Sequence, residues 1–427
     1  MKTTFFWFRR DLRLEDNTAL YEALSQKKNV IPLFIFDEDI LNELPSDDPR
    51  VQFIHKSLAS INEQLGHRNS SILILKGNPV TIWDNLIETY DIDSVFLNKD
   101  YEPYALKRDL EIKAALVAKG IKFHAFKDQV IHEESEVIKA DGTPYTVFTP
   151  YKNKWLSIYK AIALKAELKF EHLHQEKYEF PSLEKLGLKA SKIFVQDYNL
   201  SVLDKYNEAR DLPGIDSTSY LGPHLRFGTV SVRQVIAQLE VKDSVFLSEL
   251  IWREFFMQIL FHFPKVVTEN FRAKYDHIEW INNENDFEKW CQGETGYPLV
   301  DAGMKQLNKT GYMHNRVRMV TAGFLCKHLL VDWRLGEAYF AEKLLDYELS
   351  SNNGNWQWAA GTGCDAAPYF RIFNPHTQFK KFDKAATYVN QWLPEFQTLN
   401  YAREIVEHDF ARKRALETYK KGIALYV

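Results

Sequence analysis

Across the first 130 residues, short apolar runs alternate with amphipathic segments, and this alternation restricts the fold more than any other feature of the chain. The runs are FFWF (5–8), VIPLFIF (30–36), SILILKG (71–77), SVFLNKD (94–100) and IKFHAF (121–126). One intervening segment places Val51, Ile54, Leu58, Ile61 and Leu65 on one helical face and stops at Gly66. A second carries Val80, Trp83, Leu86, Ile87 and Tyr90; a third carries Leu106, Leu110, Ala114 and Val117 and stops at Gly120. Apolar residues three and four apart make one face of a helix, and a glycine after the last of them ends it. Strands that are apolar throughout must be covered on both faces, and parallel strands need a crossover long enough for a helix. The expected fold for residues 1–130 is therefore α/β, a doubly wound parallel five-stranded sheet. No GxGxxG follows the first strand and no phosphate loop is present, so the usual nucleotide fingerprints are missing. The charges of RRDLRLEDN (9–17) predict a solvated loop after that strand.

From 131 to 200 the periodicity weakens. HEESEVIKADGTPYTVFTPYKNKW is polar and turn-rich, the composition of a long interdomain connector. Residues 201–427 lose the strand signal and take on helical spacing, which predicts an all-α second domain. Ser231 can cap VRQVIAQL, Asp243 or Ser244 can cap FLSELIWREFFMQILFHF ahead of Pro264, and Pro298 opens PLVDAGMKQLNKTG. The length of 427 residues is enough for two such cores. A formal charge of -4 means that any nucleic-acid contact must come from a local basic patch. Three cysteines (Cys291, Cys326, Cys364) without CxxC spacing suit a reducing compartment and suggest neither disulfides nor zinc. There is no signal-peptide pattern and no run of roughly 18 apolar residues, so a cytoplasmic protein without a membrane segment is expected.

Four stretches of the helical part hold the residue types that chemistry needs. In 206–231, Thr218, Ser219 and Gly222 offer hydroxyls and unhindered backbone, and Ser231 starts a helix; such groups suit a phosphate. In the helix around Glu249, the carboxylate lies one turn from Trp252 and Arg253, with Phe255, Phe256, Ile259 and Leu260 nearby. The resulting face, partly against a core, suits a hydrogen-bonding carboxyl with a raised pKa. In 313–319, Asn315 and Met319 share a face while Arg316 points elsewhere, toward solvent; His314 has no metal-ligand spacing and reads as an ordinary histidine. The last stretch, 346–375, joins the amides Asn352 and Asn353 to Trp356 and Trp358 and then to small residues (Ala359, Ala360, Gly361, Gly363, Ala366, Ala367). Residues two apart on a helix point roughly 200° from each other, so the two indoles face different neighbours. The small residues let something flat approach the backbone.

Taken together, FWFRRDLRLEDNTAL, SELIWREFF, GYPLVDAGMKQLNKTGYMHNRVRM and NNGNWQWAAGTGCDAAPYFRIFNP run in an order that resembles the photolyase/cryptochrome family, most closely its class I cyclobutane pyrimidine dimer photolyases. The resemblance spans nearly the whole chain. It implies an α/β domain able to hold a light-harvesting antenna, and a helical domain that clasps FAD. It places Tyr206, Thr218, Ser219, Tyr220, Leu221 and Gly222 at the cofactor, with Arg253, Arg318, Asp346, Tyr347 and Glu348. Arg318 would pair with Asp346; Glu348 stands where Asp is common. Asn352 matches the residue facing flavin N5, where a neutral amide can accept the N–H of the reduced ring. Trp356, Trp333 and Trp280 match the chain of indoles that passes electrons from the surface to the flavin.

For the substrate, the resemblance makes Glu249 the carboxyl that hydrogen-bonds the dimer, Asn315 and Met319 its neighbours, and Trp252 and Trp358 the walls of its pocket. Arg210, Arg316, Arg371 and Gln378 match contacts to the DNA strand. The implied activity is light-driven repair of pyrimidine dimers by a monomer that takes the lesion flipped out of damaged DNA. The alternative is a cryptochrome-like photoreceptor, against which stand the complete pocket and a chain ending at Val427 without a long polar tail. The antenna is where the pattern departs. Folate-binding members carry an Asn-Glu pair where this chain has Tyr104 and Ala105, which argues against folate and leaves a deazaflavin, a second flavin or an empty site.

Overall fold

The computed structural model describes residues 2–165 and 168–426. Packing divides the chain into two compact units, the first made of Met1–Glu136, Trp155–Asp197 and Leu221–Lys242, the second of Val137–Lys154, Tyr198–Tyr220 and Asp243–Val427. Residues 137–154, part of the expected connector, pack with the second unit, and 221–242, expected in the helical domain, pack with the first. The connector is also not without structure, since Phe148–Ile158 is helical.

In the first unit, strands β1 (Thr3–Phe8), β2 (Val30–Asp37), β3 (Leu73–Gly77), β4 (Ile92–Asn98) and β5 (Lys122–Phe126) form one sheet in the order β3-β2-β1-β4-β5. Every pairing is parallel. Alternate residues of a strand face opposite sides, and the two faces are covered by different helices. Phe6, Phe8, Phe34, Phe36 and Phe96 pack against the helices Thr18–Gln26 and Pro49–Gly66. Phe5, Trp7, Leu33, Val95 and Leu97 pack against Pro79–Thr89 and Pro103–Ala118. Asn17, Asp48 and Asn78 cap three of these helices through their side chains. On the helix Pro103–Ala118 the expected apolar face is wrong. Ala105, Ile112 and Leu116 are buried, whereas Leu110 and Val117 are exposed. The helix has apolar residues on more than one side, and packing on the sheet chose among them.

The RRDLRLEDN segment is also not the solvated loop its charges suggest. Asp11, Arg13, Asp16 and Asn17 are all buried. Asn98, at the end of β4, donates to Asp11 Oδ2 at 2.6 Å. Arg13 and Arg233 both hold Asp128, at 2.6 and 2.7 Å, and Arg233 Nε reaches Asp16 at 2.8 Å. Burial raises the Asp11 carboxyl above its ordinary value. At Asp128 burial acts the same way, but the two guanidiniums outweigh it and lower the pKa. Ser231 accepts from Gln234 N–H in a capping box and donates its own hydrogen to Asp16 at 2.5 Å. Its hydroxyl is committed to the fold, so the phosphate role it might have shared with Thr218 is closed to it.

The second unit is helical, with Ser244–His262, Pro298–Thr310, Asn315–Lys327, Trp333–Lys343, Leu349–Ala360 and His408–Ala424 among its longer elements. Pro298 opens its helix as expected, and Gly311 closes it in the left-handed region at φ 68°. Asp243 is the N-cap residue of Ser244–His262 but makes no side-chain cap bond. Among the described residues no helix is long and apolar enough to cross a membrane.

Candidate functional site

The helix Leu349–Ala360 organises the second unit's polar groups. Asn352 directs its amide nitrogen to two acceptors on Glu337, the backbone oxygen at 3.0 Å and Oε1 at 2.7 Å. With both amide hydrogens committed, its carbonyl oxygen is the group left to accept. Burial raises the Glu337 carboxyl, against the lowering effect of the Asn352 bond. Asn353 turns the other way, donating to Val266 O at 2.9 Å. The Ser350 hydroxyl is buried and has no hydrogen-bond partner among the described residues. Glu337 was not foreseen from sequence. The signal lies in WRLGEAYF, where an acid interrupts an apolar helix four residues after Trp333.

Arginine forks hold the acids just upstream. Arg318 meets Asp346 with two nitrogens, at 3.2 and 3.0 Å, and donates Nε–H to Met313 O at 2.7 Å. Arg253 lies 3.4 Å from Glu348. The departure from Asp to Glu at 348 thus keeps an arginine partner, and Ser351 Oγ also donates to it at 3.3 Å. Tyr347 is half-buried against the helical core. Tyr312 OH and Thr218 Oγ1 are 3.3 Å apart, Ser219 O accepts from Asn199 N–H at 2.9 Å, and Tyr220 takes a positive φ of 51°. Tyr206 is edge-on to Phe246 at 5.1 Å. Leu221 and Gly222 open the helix Leu221–Phe227 of the first unit.

The five tryptophans singled out by sequence have separate environments. Trp356 is buried against Trp290 and Phe340, at ring separations of 6.1 and 5.0 Å. Trp333 is buried and donates to Asn270 Oδ1 at 2.9 Å, and Trp280 is half-buried, packed on the same core and edge-on to Tyr419 at 6.0 Å. Trp358 lies on the other side of its helix and lines a recess with Met319, Gly323, Lys327, Arg371 and Phe373. Trp252 is stacked on Phe148 at 3.6 Å and 8°. Phe148 is itself tied down by its backbone N–H, which donates to Asp365 at 2.9 Å. Neither Phe148 nor Asp365 was foreseen; the aromatic cluster at the end of the connector was the available sign.

Two of the small residues after Trp358 have roles within the fold. Gly361 is the left-handed C-cap at φ 89°, and Ala360 O accepts from Tyr419 OH at 2.7 Å. At Gly336 an added Cβ would stand 2.2 Å from the Trp356 ring. Gly336→Ala is expected to destabilise the protein by about 1–3 kcal/mol through overpacking, read as a lower urea midpoint with unchanged slope.

Glu249 is half-buried and ion-paired with Arg210 at 2.8 Å, and Arg210 also lies over the Tyr206 ring. Asn315 is the exposed first residue of its helix and Met319 follows one turn later. Arg316 is not turned to solvent. It is half-buried, 2.7 Å from Asp211 and over the Phe382 ring at 4.3 Å. His314 caps the helix, Nδ1 accepting from Arg316 N–H at 3.2 Å, and burial first, then Arg318, lowers its pKa to about 4. A neutral ring is the form that can accept that bond. Arg371 is exposed, and Gln378 keeps its side-chain oxygen buried without a donor.

Residues 4–171 match the family described as DNA photolyase, and 246–420 match the FAD binding domain of DNA photolyase. A deoxyribodipyrimidine photo-lyase of Halobacterium salinarum is 37% identical, over 92% of this chain and 89% of its own. The chain belongs to the DNA photolyase family. Among solved structures, a bacterial class III photolyase from Agrobacterium tumefaciens is 34% identical with a TM-score of 0.89, covering 99% of this chain and 98% of its own. An archaeal photolyase from Sulfolobus tokodaii, described with two FAD molecules, is 35% identical with a TM-score of 0.89 over 98% and 100% of the two chains. Both share the α/β and helical architecture.

The second unit carries the family's FAD-binding domain, and the residues present fit that cofactor. The free acceptor of Asn352, the unpartnered Ser350 hydroxyl and the Arg318–Asp346 fork are polar groups suited to the edge of a flavin. In the first unit, Tyr104 OH donates to Asp37 at 2.7 Å and Ala105 is buried. Both positions where folate-binding members carry Asn-Glu are thus occupied by the fold's own contacts.

Proposed function

We propose that this photolyase repairs cyclobutane pyrimidine dimers in DNA, driven by blue or near-UV light. The observation that carries the reading is the two-sidedness of the helix Leu349–Ala360. Asn352 is oriented by Glu337 to accept, and Trp358 lines a recess with Met319 and Arg371. When bound, reduced FAD supplies the photoexcited electron that opens the dimer, and the electron is recovered without net redox change. The chain's own residues do the rest. Trp252, backed by Phe148, offers a rigid wall to an extruded pyrimidine dimer. A dimer already distorts its duplex, so extruding it costs less than flipping normal bases. Arg210, Arg316 and Arg371 supply strand contacts whose strength depends on salt and little on sequence, and Gln378 adds an uncharged contact.

As a protonated carboxyl, Glu249 donates a hydrogen bond that stabilises charge on the dimer's base carbonyls; in its ion pair with Arg210 it only accepts, and Arg210 is then the donor. Glu249→Ala is expected to leave FAD bound and lower repair per absorbed photon by about tenfold, the equivalent of ~1.4 kcal/mol. An unchanged quantum yield would remove Glu249 from the mechanism. The deciding experiment for the function is illumination of the reduced protein with dimer-containing DNA, scored by restored thymines. Bound FAD with no restored thymines would favour the photoreceptor alternative. The motifs resemble class I enzymes and the Agrobacterium relative is of class III; the chemistry proposed does not depend on that division. A second flavin is the favoured antenna, since the Sulfolobus relative is described with two FAD molecules.

A further inference from the structure

We propose that Lys327 is a positioning residue for DNA binding: it fixes the Arg371 turn through that residue's carbonyl and makes the recess beside Trp358 electropositive toward a phosphodiester strand. The inference rests on the repair reading above. Lys327 ends the helix Asn315–Lys327 and is 3% exposed, so it does not reach solvent as a surface lysine would. Its Nζ donates to Arg371 O at 3.1 Å. Its side chain shares the wall of the recess with Met319, Trp358, Arg371 and Phe373.

Among the described residues, no carboxylate is ion-paired with this ammonium. The groups close enough to act on it are Arg371, which repels it, and Cys326, a buried thiol whose own pKa is pushed up by burial. His328, the next residue, is held down to about 3 by burial first and then by His408 and Arg414, and so stays neutral. Burial of an unpaired ammonium is strongly unfavourable, and a purely structural core position would be better filled by Met or Leu. Two functions compensate here. The hydrogen bond anchors the backbone from which Arg371 projects, and the charge adds to that of Arg371 in a poorly solvated recess where fields are weakly screened. Burial, with Arg371 adding to it, lowers the Lys327 pKa to about 8. A polyanion arriving at the recess favours the charged form, so binding takes up a proton once the pH exceeds that value.

The test measures binding of a duplex with one thymine dimer, beside its undamaged counterpart, by anisotropy between pH 7 and 9.5. Wild-type affinity should fall as the pH rises through about 8. Lys327→Met should bind about tenfold more weakly at pH 7, the loss of one charge-assisted contact, and lose that pH dependence. Lys327→Arg should retain affinity at pH 7 and stay flat to pH 9.5, because a guanidinium does not titrate there. A Met variant with the wild-type profile overturns the proposal. If the Met variant fails to fold, the Arg variant decides: a wild-type fall in affinity retained in it would show that another group titrates. A wild-type protein with no preference for the dimer at any pH would instead overturn the repair reading, and this inference with it.

Discussion

Replacing Trp333 by phenylalanine is expected to block light-driven reduction of the bound cofactor while sparing repair by protein reduced chemically beforehand. Trp333 and Trp356 are both buried in one core, and the half-buried Trp280 packs against it. An indole is far easier to oxidise than a benzene ring. A barrier rise of only about 2.7 kcal/mol already slows a step about a hundredfold, and the phenylalanine hop is harder than that. The substitution is also mild for the fold. It keeps an apolar ring in the core and removes one hydrogen bond, that to Asn270 Oδ1, leaving Asn270 its bond to Asp276. The measurement is the rate of cofactor bleaching under illumination with an external reductant, alongside thymine restoration after dithionite treatment. Loss of both activities would mean that Trp333 serves structure or substrate, and the three-indole assignment would fall.

The largest stability effect is expected at Arg233. Arg233→Met should cost about 3–5 kcal/mol, because it removes the guanidinium from buried Asp16 and one of the two from buried Asp128. Arg233 lies within hydrogen-bonding distance of Asp16 at 2.8 Å and Asp128 at 2.7 Å, all three side chains being nearly inaccessible. Arg13 still reaches Asp128, so Asp16 bears most of the loss. The pH dependence follows from Asp128, whose pKa is lowered in the fold. Its contribution is present above the unfolded carboxyl pKa and is lost as the pH falls through the folded value. Wild-type stability should therefore decline below about pH 4, and that decline should be shallower in Arg233→Met. Urea unfolding at pH 7 and again well below pH 4, at about pH 2.5, measures both. A loss under ~1 kcal/mol at pH 7 would mean that water reaches the network and replaces the guanidinium.

Much of the fold is legible in the order of residues because the restraints that produce it are local. Helix starts are visible at Ser231 and Pro298, since a cap or a proline acts on the turn it opens. The five strands read as apolar runs because both sheet faces are covered. The helix Pro103–Ala118 was misjudged where two apolar stripes compete, and only the sheet beneath it distinguishes Ile112 from Leu110. RRDLRLEDN was misjudged for the opposite reason. Charge predicts solvent unless a partner is known, and Arg233 lies more than two hundred residues away in sequence.

For the candidate site, the sequence by itself determined which residue types stand together: the carboxylate, indole and guanidinium around Glu249, Asn315 with Met319, and the amides before two tryptophans. The two-residue offset of Trp356 and Trp358 also determined that they face apart, since that depends on helix geometry alone. Only the tertiary structure decided who partners whom. Glu249 takes Arg210, Asn352 takes Glu337, Trp252 takes Phe148, and Lys327 takes the carbonyl of Arg371. The spacing of a helix is a property of neighbouring residues. The partner of a buried charge or ring is a property of segments brought together by the whole core, and no local pattern encodes it.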